Sequence, residues 1–482
     1  MINSPSDAEV DGSPAARLAQ EIKRRRTGKR LSQPALAKLI GYSRQYVSLA
    51  ERNVNLPSHD IVRAIDHALG AEGQLLALWR DAKSDQQARR AARLAPSEPV
   101  APYDTSHQTG AEPVLHCPAG RYFPGSVTPL VTIAGANIHD RVLAHFEDQD
   151  FDARLRQPQR ALVVATVDSS DGPVFYGMDR RRVRARRWVA NADAPLLFPR
   201  AYKLDDLTLA IAWATTNLDD ALLDDDAELH ATVHRIGELR KQSRSSATTE
   251  VAGELSTVSQ MWLGSDVCAR HILRHTAELT QQPQFWAREQ RGEEASTWLL
   301  FAHKYHYLQR TSPTTATAPI RAFCIPSDAV TDSTAHERIL FLLTAALIES
   351  VGIRVAVCTE PEYTAVPGFV LDASRRAIVA TWINTDQLWH VDITDHRPTI
   401  REFRDAAGWA HHHSILTGTT PIQRLRALAD YLGLDWARLS ARCAALADYG
   451  ITGFITPRSR LLSVAGIERA CRFLGDLTTD DR

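Results

Sequence analysis

Nowhere in the 482 residues is there an apolar run close to the ~20 needed for a membrane-spanning helix, and no secretory leader is read at the start. A membrane protein is not expected, and the location expected is the cytoplasm. Neither sign of charge is in excess: 56 Lys and Arg face 57 Asp and Glu, so the chain as a whole is not a polycation. The six cysteines, Cys117, Cys268, Cys324, Cys358, Cys443 and Cys471, include no CxxC pair and no metal-ligand spacing. Buried reduced thiols are favoured over disulfides or zinc. No complete catalytic constellation and no internal repeat is found, so neither an enzyme nor a cofactor is expected. Hydrophobic residues at 44% and charged residues at 23% leave an ordinary globular chain, long enough for about three domains at ~150 residues each.

The most informative stretch present is 31–58, LSQPALAKLIGYSRQYVSLAERNVNLPS. Ser32 is placed to cap a helix whose apolar residues Leu36, Ala37, Leu39 and Ile40 share one side, and Gly41 permits a tight turn. Ser43 is the next candidate cap. From there a second helix buries Val47 and Ala50 and leaves Arg44, Gln45, Ser48 and Leu49 pointing away from the core. Arg and Gln make bidentate hydrogen bonds to guanine and adenine edges, and Leu can lie against a thymine methyl. A helix is expected upstream over 14–26, ending in Lys23, Arg24, Arg25 and Arg26, with Lys29 and Arg30 just beyond; another, capped by Ser58, runs to Gly70. Eleven Lys and Arg against four Asp and Glu give 14–70 a local charge of +7 within a neutral chain. This pattern points to double-stranded DNA as the partner. A four-helix module for protein contacts alone would not need Arg-Gln at these positions.

The stretch 14–80 resembles the phage-repressor and Cro-like, or XRE-type, helix-turn-helix regulators through Gln33, Gly41, VSLAER with Glu51, and LPS at 56–58. The resemblance implies that Gln33 and Arg52, in the company of Arg26, Lys29 and Arg30, hold backbone phosphates. It also implies that Ser43, Arg44, Gln45, Ser48 and Leu49 address base edges. Pro34 in the first turn of its helix and Asn53, where Gly is commoner, depart from the pattern, but both are tolerated there.

Residues 81–115 begin as a polar helix and become a linker rich in Pro, Ser, Thr and Gly. A central domain over 116–317 opens with two strands around Ser-Asp-Gly, a hairpin signal. RRRVRARRW then reads as a strand with Arg182, Arg184 and Arg186 on one face, a charged sheet edge rather than a second anion contact. A mostly buried helix follows from Leu204, and its acidic tail, Asp224, Asp225, Asp226 and Glu228, reads as a solvated surface. Trp298, Phe301, Ala302, Tyr305 and Leu308 form a stripe on a helix from Glu293, near Trp262, Phe285 and Trp286. Such a stripe is either core or the wall of an effector pocket, and core is favoured. This central stretch resembles the long C-terminal regions of actinobacterial regulators.

Over 318–410 a helix at 335–351 and short strands indicate α+β structure with an antiparallel sheet. The helix followed by WHVDIT faintly resembles a transglutaminase or papain-like core, with His390 and Asp392 on one strand face. The helix start, Asp332, Ser333 and Thr334, lacks the nucleophilic Cys, and Cys358 lies on a strand. His411, His412 and His413 read as a helix end rather than a metal site. The segment 411–482 is helical, with Leu425, Leu428, Leu432, Leu439 and Leu446 apolar, and reads as a dimerisation module rather than a second reader.

The fold class expected is multidomain, mainly α with α+β parts: an all-α helix-turn-helix domain followed by an α+β sensor and dimerisation region. The function expected is a transcriptional regulator that binds an inverted-repeat operator as a homodimer, with a small-molecule or protein effector, and that associates with the nucleoid when DNA-bound. The alternatives are an enzyme or defence effector carrying a DNA-binding head, and a scaffold switched by a partner protein.

Overall fold

The computed structural model describes residues 13–42, 44–52, 56–57, 59–94, 113–145, 151–189, 195–279, 283–312, 318–372 and 375–479. Of the linker expected over 81–115, residues 81–94 are helical and a strand begins at Val114; residues 95–112, the candidate caps Ser43 and Ser58, and Asn53 lie outside the described ones.

The head is a bundle of five helices: α1 (Pro14–Gly28), α2 (Gln33–Ile40), α3 (Arg44–Glu51), α4 (His59–Leu69) and α5 (Gln74–Leu94). Side-chain caps open the first two. Ser13 Oγ accepts from Ala16 N at 3.1 Å, and Ser32 Oγ from Ala35 N at 3.2 Å. Gly41 ends α2 in the left-handed region at φ 75°, which an L side chain rarely adopts. Most of the core expected from the periodicity is in place, with Leu18, Ile22, Leu36, Ala37, Val47, Ala50, Ile61, Ile65 and Leu69 buried together, but Leu39 is 62% exposed and Ile40 half-buried at the rim.

The body holds two sheets. The first has six strands, β1 (Val114–Cys117), β2 (Ser126–Ile138), β3 (Arg141–Ala144), β4 (Leu162–Val167), β5 (Val174–Asp179) and β6 (Leu196–Pro199), ordered β5-β4-β2-β3-β6 with β1 also on β2. Its helices are α6 (Phe151–Arg156) and α7 (Arg180–Val189). The antiparallel β4-β5 pair, with Leu162 opposite Asp179, is the hairpin around Ser-Asp-Gly.

The arginine-rich run that follows is α7, not the strand expected. Asp179 Oδ1 accepts from Arg181 N at 2.8 Å, a helix-start contact, and Val183 is fully buried. At 100° per residue, Arg182, Arg184 and Arg186 therefore do not share a face. Arg186 donates to the Leu197 carbonyl at 3.0 Å.

Long helices come next: α8 (Asp206–Asp224), α9 (Asp226–Arg235) and α10 (Thr257–His275). The second sheet has seven strands, β7 (Ser245–Ala247), β8 (Gln284–Ala287), β9 (Ile320–Cys324), β10 (Arg354–Cys358), β11 (Phe369–Asp372), β12 (Arg376–Thr381) and β13 (Trp389–Thr394), ordered β10-β9-β8-β11-β12-β13-β7. It is mixed rather than antiparallel throughout, because β8-β9 and β9-β10 run parallel. Parallel neighbours need crossovers, supplied here by α11 (Gly292–Leu300) with α12 (Ala302–Thr311), and by α13 (Ser327–Asp332) with α14 (Ala335–Ser350). The boundary expected at residue 317 falls inside this sheet. The chain ends with α15 (Arg397–His412), α16 (Pro421–Leu432), α17 (Trp436–Tyr449) and α18 (Ala465–Thr479).

Helix α14 is the axis of the body. It is capped by a reciprocal Thr334–Glu337 box, and almost every residue from Glu337 to Glu349 is buried. Its Glu349 meets Arg424 of α16 at 2.6 Å, both side chains out of water. A Cβ on Gly292 would stand 2.1 Å from the Glu337 carbonyl oxygen, so α11 crosses α14 at a distance only glycine permits. One apolar core runs from Leu115 to Leu474. The aromatic stripe expected on a single helix is interrupted: Phe301 is extended, at φ −70° and ψ 117°, and bridges to Leu462. Trp298, Phe301 and Leu308 are buried all the same.

His271 on α10 is fully buried, with Nε2 3.2 Å from the Asp392 carbonyl oxygen and no partner on Nδ1. Burial, the largest cause, holds its imidazole down at about 4. The unfolded chain therefore binds the extra proton first, and the stability His271 contributes above pH 6.5 is lost as pH falls towards 4. The expected loss approaches about 3 kcal/mol at the low end. A melting series from pH 7 to 4 on the protein and on His271→Gln checks it, the variant showing the shallower slope; equal slopes would assign the acid sensitivity elsewhere.

Candidate nucleic-acid interface

Helix α3 begins three residues after Gly41. Val47 and Ala50 are buried in the head, Arg44 is exposed, and Ser48 and Leu49 are half-buried. Gln45 lies on the same helix, with its side chain outside the described ones.

One carboxylate pins this helix in place. Glu51 accepts from Arg26 Nε at 2.5 Å and Arg26 Nη2 at 3.0 Å, and from Gln33 Nε2 at 2.8 Å. Arg26 also donates to the Leu31 carbonyl at 2.6 Å. With side-chain exposures of 11% for Arg26 and 3% for Glu51, the pair is largely out of water. The hydrogen bond to Glu51 raises the guanidinium pKa. Two of the residues expected at phosphates, Arg26 and Gln33, thus join α1 and α2 to the end of α3. In the sequence Glu51 stands only as part of VSLAER, among the polar Ser48, Arg52 and Asn53, and no local signal marks it for this role.

The other cations expected at phosphates stand free of such ties. Arg52 is exposed, its Nε 3.4 Å from the Ser48 carbonyl. Lys29 is exposed near the Ala68 carbonyl, also at 3.4 Å, and Arg30 is exposed at φ 53°. On α1, Glu21 takes hydrogen bonds from Arg24 and Arg25; the bond from Arg24, the largest cause, holds its carboxyl down at about 2.

Sequence reasoning did not weigh Tyr46. This residue on α3 is half-buried and packs edge-on against Tyr42 with centroids 6.1 Å apart. Burial raises its phenol pKa, and Glu362 and Glu402 of the body add to the effect. Helix α3 lies against the 3-10 turn Pro361–Ala365, and α5 against α13, so the head rests on the body along two lines. No local pattern could announce this, because the partners are hundreds of residues away in sequence.

The remaining constellations are placed as follows. All six cysteines are free and buried, Cys358 among them on β10. His390 and Asp392 face the solvent side of β13 only partly covered, opposite Thr381 and Val379. His412 and His413 each bring Nδ1 to a carbonyl one turn back, at 2.6 and 3.1 Å, at the end of α15. Among the described residues no three His, Cys, Asp or Glu gather as a metal site, and no helix is long and apolar enough to cross a membrane.

Residues 17–79 match the family model of a helix-turn-helix domain. The chain therefore carries a helix-turn-helix domain, which suggests DNA binding, followed by a large region of mixed sheets and helices. Neither a curated protein nor a solved structure matches the chain.

Proposed function

We propose that this protein is a sequence-specific transcriptional regulator of the XRE type, in which α3 reads base edges in the major groove and the body supplies dimerisation and input. The observation that carries this reading is Arg44, exposed at the N-terminal end of a helix whose other end is locked by Arg26, Gln33 and Glu51. A reader needs both properties: a free guanidinium to choose a base and a rigid backbone to fix its register. Arg44, Gln45, Ser48 and Leu49 address bases. Arg52, Lys29 and Arg30 neutralise phosphates, and Arg26 and Gln33 hold the frame.

One head buries little DNA surface, so two heads on an inverted repeat are the economical route to specificity against a genome. The body is then the homodimer contact, the site of action is the cytoplasm and nucleoid, and no catalysis is assigned to it.

Arg52→Ala is expected to weaken binding to all sequences alike, and to reduce the slope of log affinity against log salt by about one unit per head. Affinity measured on operator and on random DNA at several salt concentrations checks this. An unchanged slope would remove Arg52 from the phosphate contacts.

A further inference from the structure

Between α10, α12 and the second sheet lies a small cavity of about 50 Å³, lined among others by Phe285, Arg288, Glu289, Trp298, Lys304 and Arg321. Its charges do not balance. Lys304 and Glu289 neutralise each other at 2.9 Å, Lys304 is also hydrogen-bonded to Thr297 Oγ1 at 2.9 Å, and its ammonium sits 4.1 Å and 4.0 Å from the ring centroids of Trp298 and Trp382. Arg288 and Arg321 have no carboxylate at ion-pair distance among the described residues.

Arg321 is only 3% exposed and lies over Phe285 and Trp298, at 4.4 and 4.7 Å from the ring centroids. Its one hydrogen bond to a side chain is a long 3.4 Å contact to Tyr307 Oη. The buried Nε atoms of both Arg288 and Arg321 lack any hydrogen-bond partner among the described residues. Arg288 is half-buried, whereas Arg321 is out of water with two aromatic rings but no counter-charge beside it, a costly arrangement that a bound anion would relieve.

We propose that this cavity binds a small carboxylate, and that its occupation is felt at the reader helix. The planar fork of a guanidinium matches a carboxylate bidentately, and Ile272, Val370 and Ile383 of the same lining suit a short apolar tail. A volume of about 50 Å³ holds the head group and one or two further carbons, since a single water needs ~10–15 Å³ on this measure. The route to the head is short. Arg288 Nη2 donates to the Thr364 carbonyl at 3.2 Å, inside the turn Pro361–Ala365 against which α3 rests. Trp286, the β8 neighbour of the cavity residue Phe285, turns its ring to the other face of the sheet and packs there on Tyr363 of that turn at 6.2 Å. An anion that engages Arg288 competes with the Thr364 carbonyl and so changes how the turn holds α3.

This coupling rests on the DNA-binding reading; the binding of the anion does not. Titrations of the full chain with acetate and propionate, followed by calorimetry and tryptophan fluorescence, test the cavity first. Saturable binding is expected for at least one of them, weakened tenfold or more in Arg321→Gln and less in Arg321→Lys, with the melting temperature of each variant confirming that it is folded. No saturation in folded protein, equal affinity in Arg321→Gln, or chloride binding as tightly as the carboxylates would overturn the site. Operator affinity with and without the bound carboxylate is then expected to differ fivefold or more. Saturable binding with no such difference would overturn the coupling. Absence of any DNA binding would instead count against the proposed function and leave the cavity result standing.

Discussion

Glu51→Ala is expected to loosen the whole head by about 3–5 kcal/mol, the range for removing one partner of a buried ion pair. The reason is specific. The substitution leaves the Arg26 guanidinium, at 11% side-chain exposure, without a counter-charge, and frees the Gln33 amide at the same time. Three helices lose their common tie, since Arg26 belongs to α1, Gln33 to α2 and Glu51 to α3. Glu51→Gln keeps the shape and part of the hydrogen bonding, so its loss should be smaller. Amide hydrogen exchange over residues 14–80 reads the effect locally, which a single melting temperature for a multidomain chain does not. Unchanged protection in Glu51→Ala would mean that the apolar core alone sets the geometry of α3.

The other large effect belongs to Arg44 and Gln45. Replacing both with alanine is expected to cost roughly 2 to 6 kcal/mol on the specific site, at ~1–3 kcal/mol for each bidentate base contact. Binding to random DNA should change far less, because phosphate contacts dominate it. The stability of the head should be nearly untouched, since Arg44 is exposed and has no hydrogen bond or ion pair among the described residues. Equal losses on specific and random DNA would reassign the pair to the backbone. Glu51→Ala and the Arg44, Gln45 double variant therefore separate the frame of the reader from its readout.

The head was legible in the sequence because its information is local. A capping serine, a glycine at positive φ and apolar residues at helical spacing each act within a few residues, and Ser32 and Gly41 both do what their chemistry suggests. The hairpin at 162–179 and the buried helix from Asp206 were legible for the same reason. Where the competing signal was itself local but weaker, the reading failed. The alternating arginines after Asp179 suggested a strand, yet Asp179 as a helix-starting acceptor and Val183 in the core decide for a helix. Strand direction in the second sheet was not legible, because it depends on where α11 to α14 cross rather than on the strands themselves.

The long-range features stayed out of sight altogether. That Glu51 would gather Arg26 and Gln33, and that Tyr46 would meet a turn near residue 362, are facts about the assembled fold. The aromatic stripe reads in the sequence as core or as the wall of a pocket, with core favoured. Trp298 proves to be both, 95% buried in the core while facing Lys304 and Arg321.

The most direct test of the central claim is a selection of genomic fragments by the purified protein, read by sequencing, with the Arg44→Ala, Gln45→Ala double variant in parallel. Enrichment of a shared inverted-repeat motif by the protein, lost in the variant, is the result expected of a dimeric regulator that reads DNA through α3. Enrichment of the same motif by both would place the readout elsewhere in the chain, and no enrichment by either would contradict the assignment of sequence-specific DNA binding.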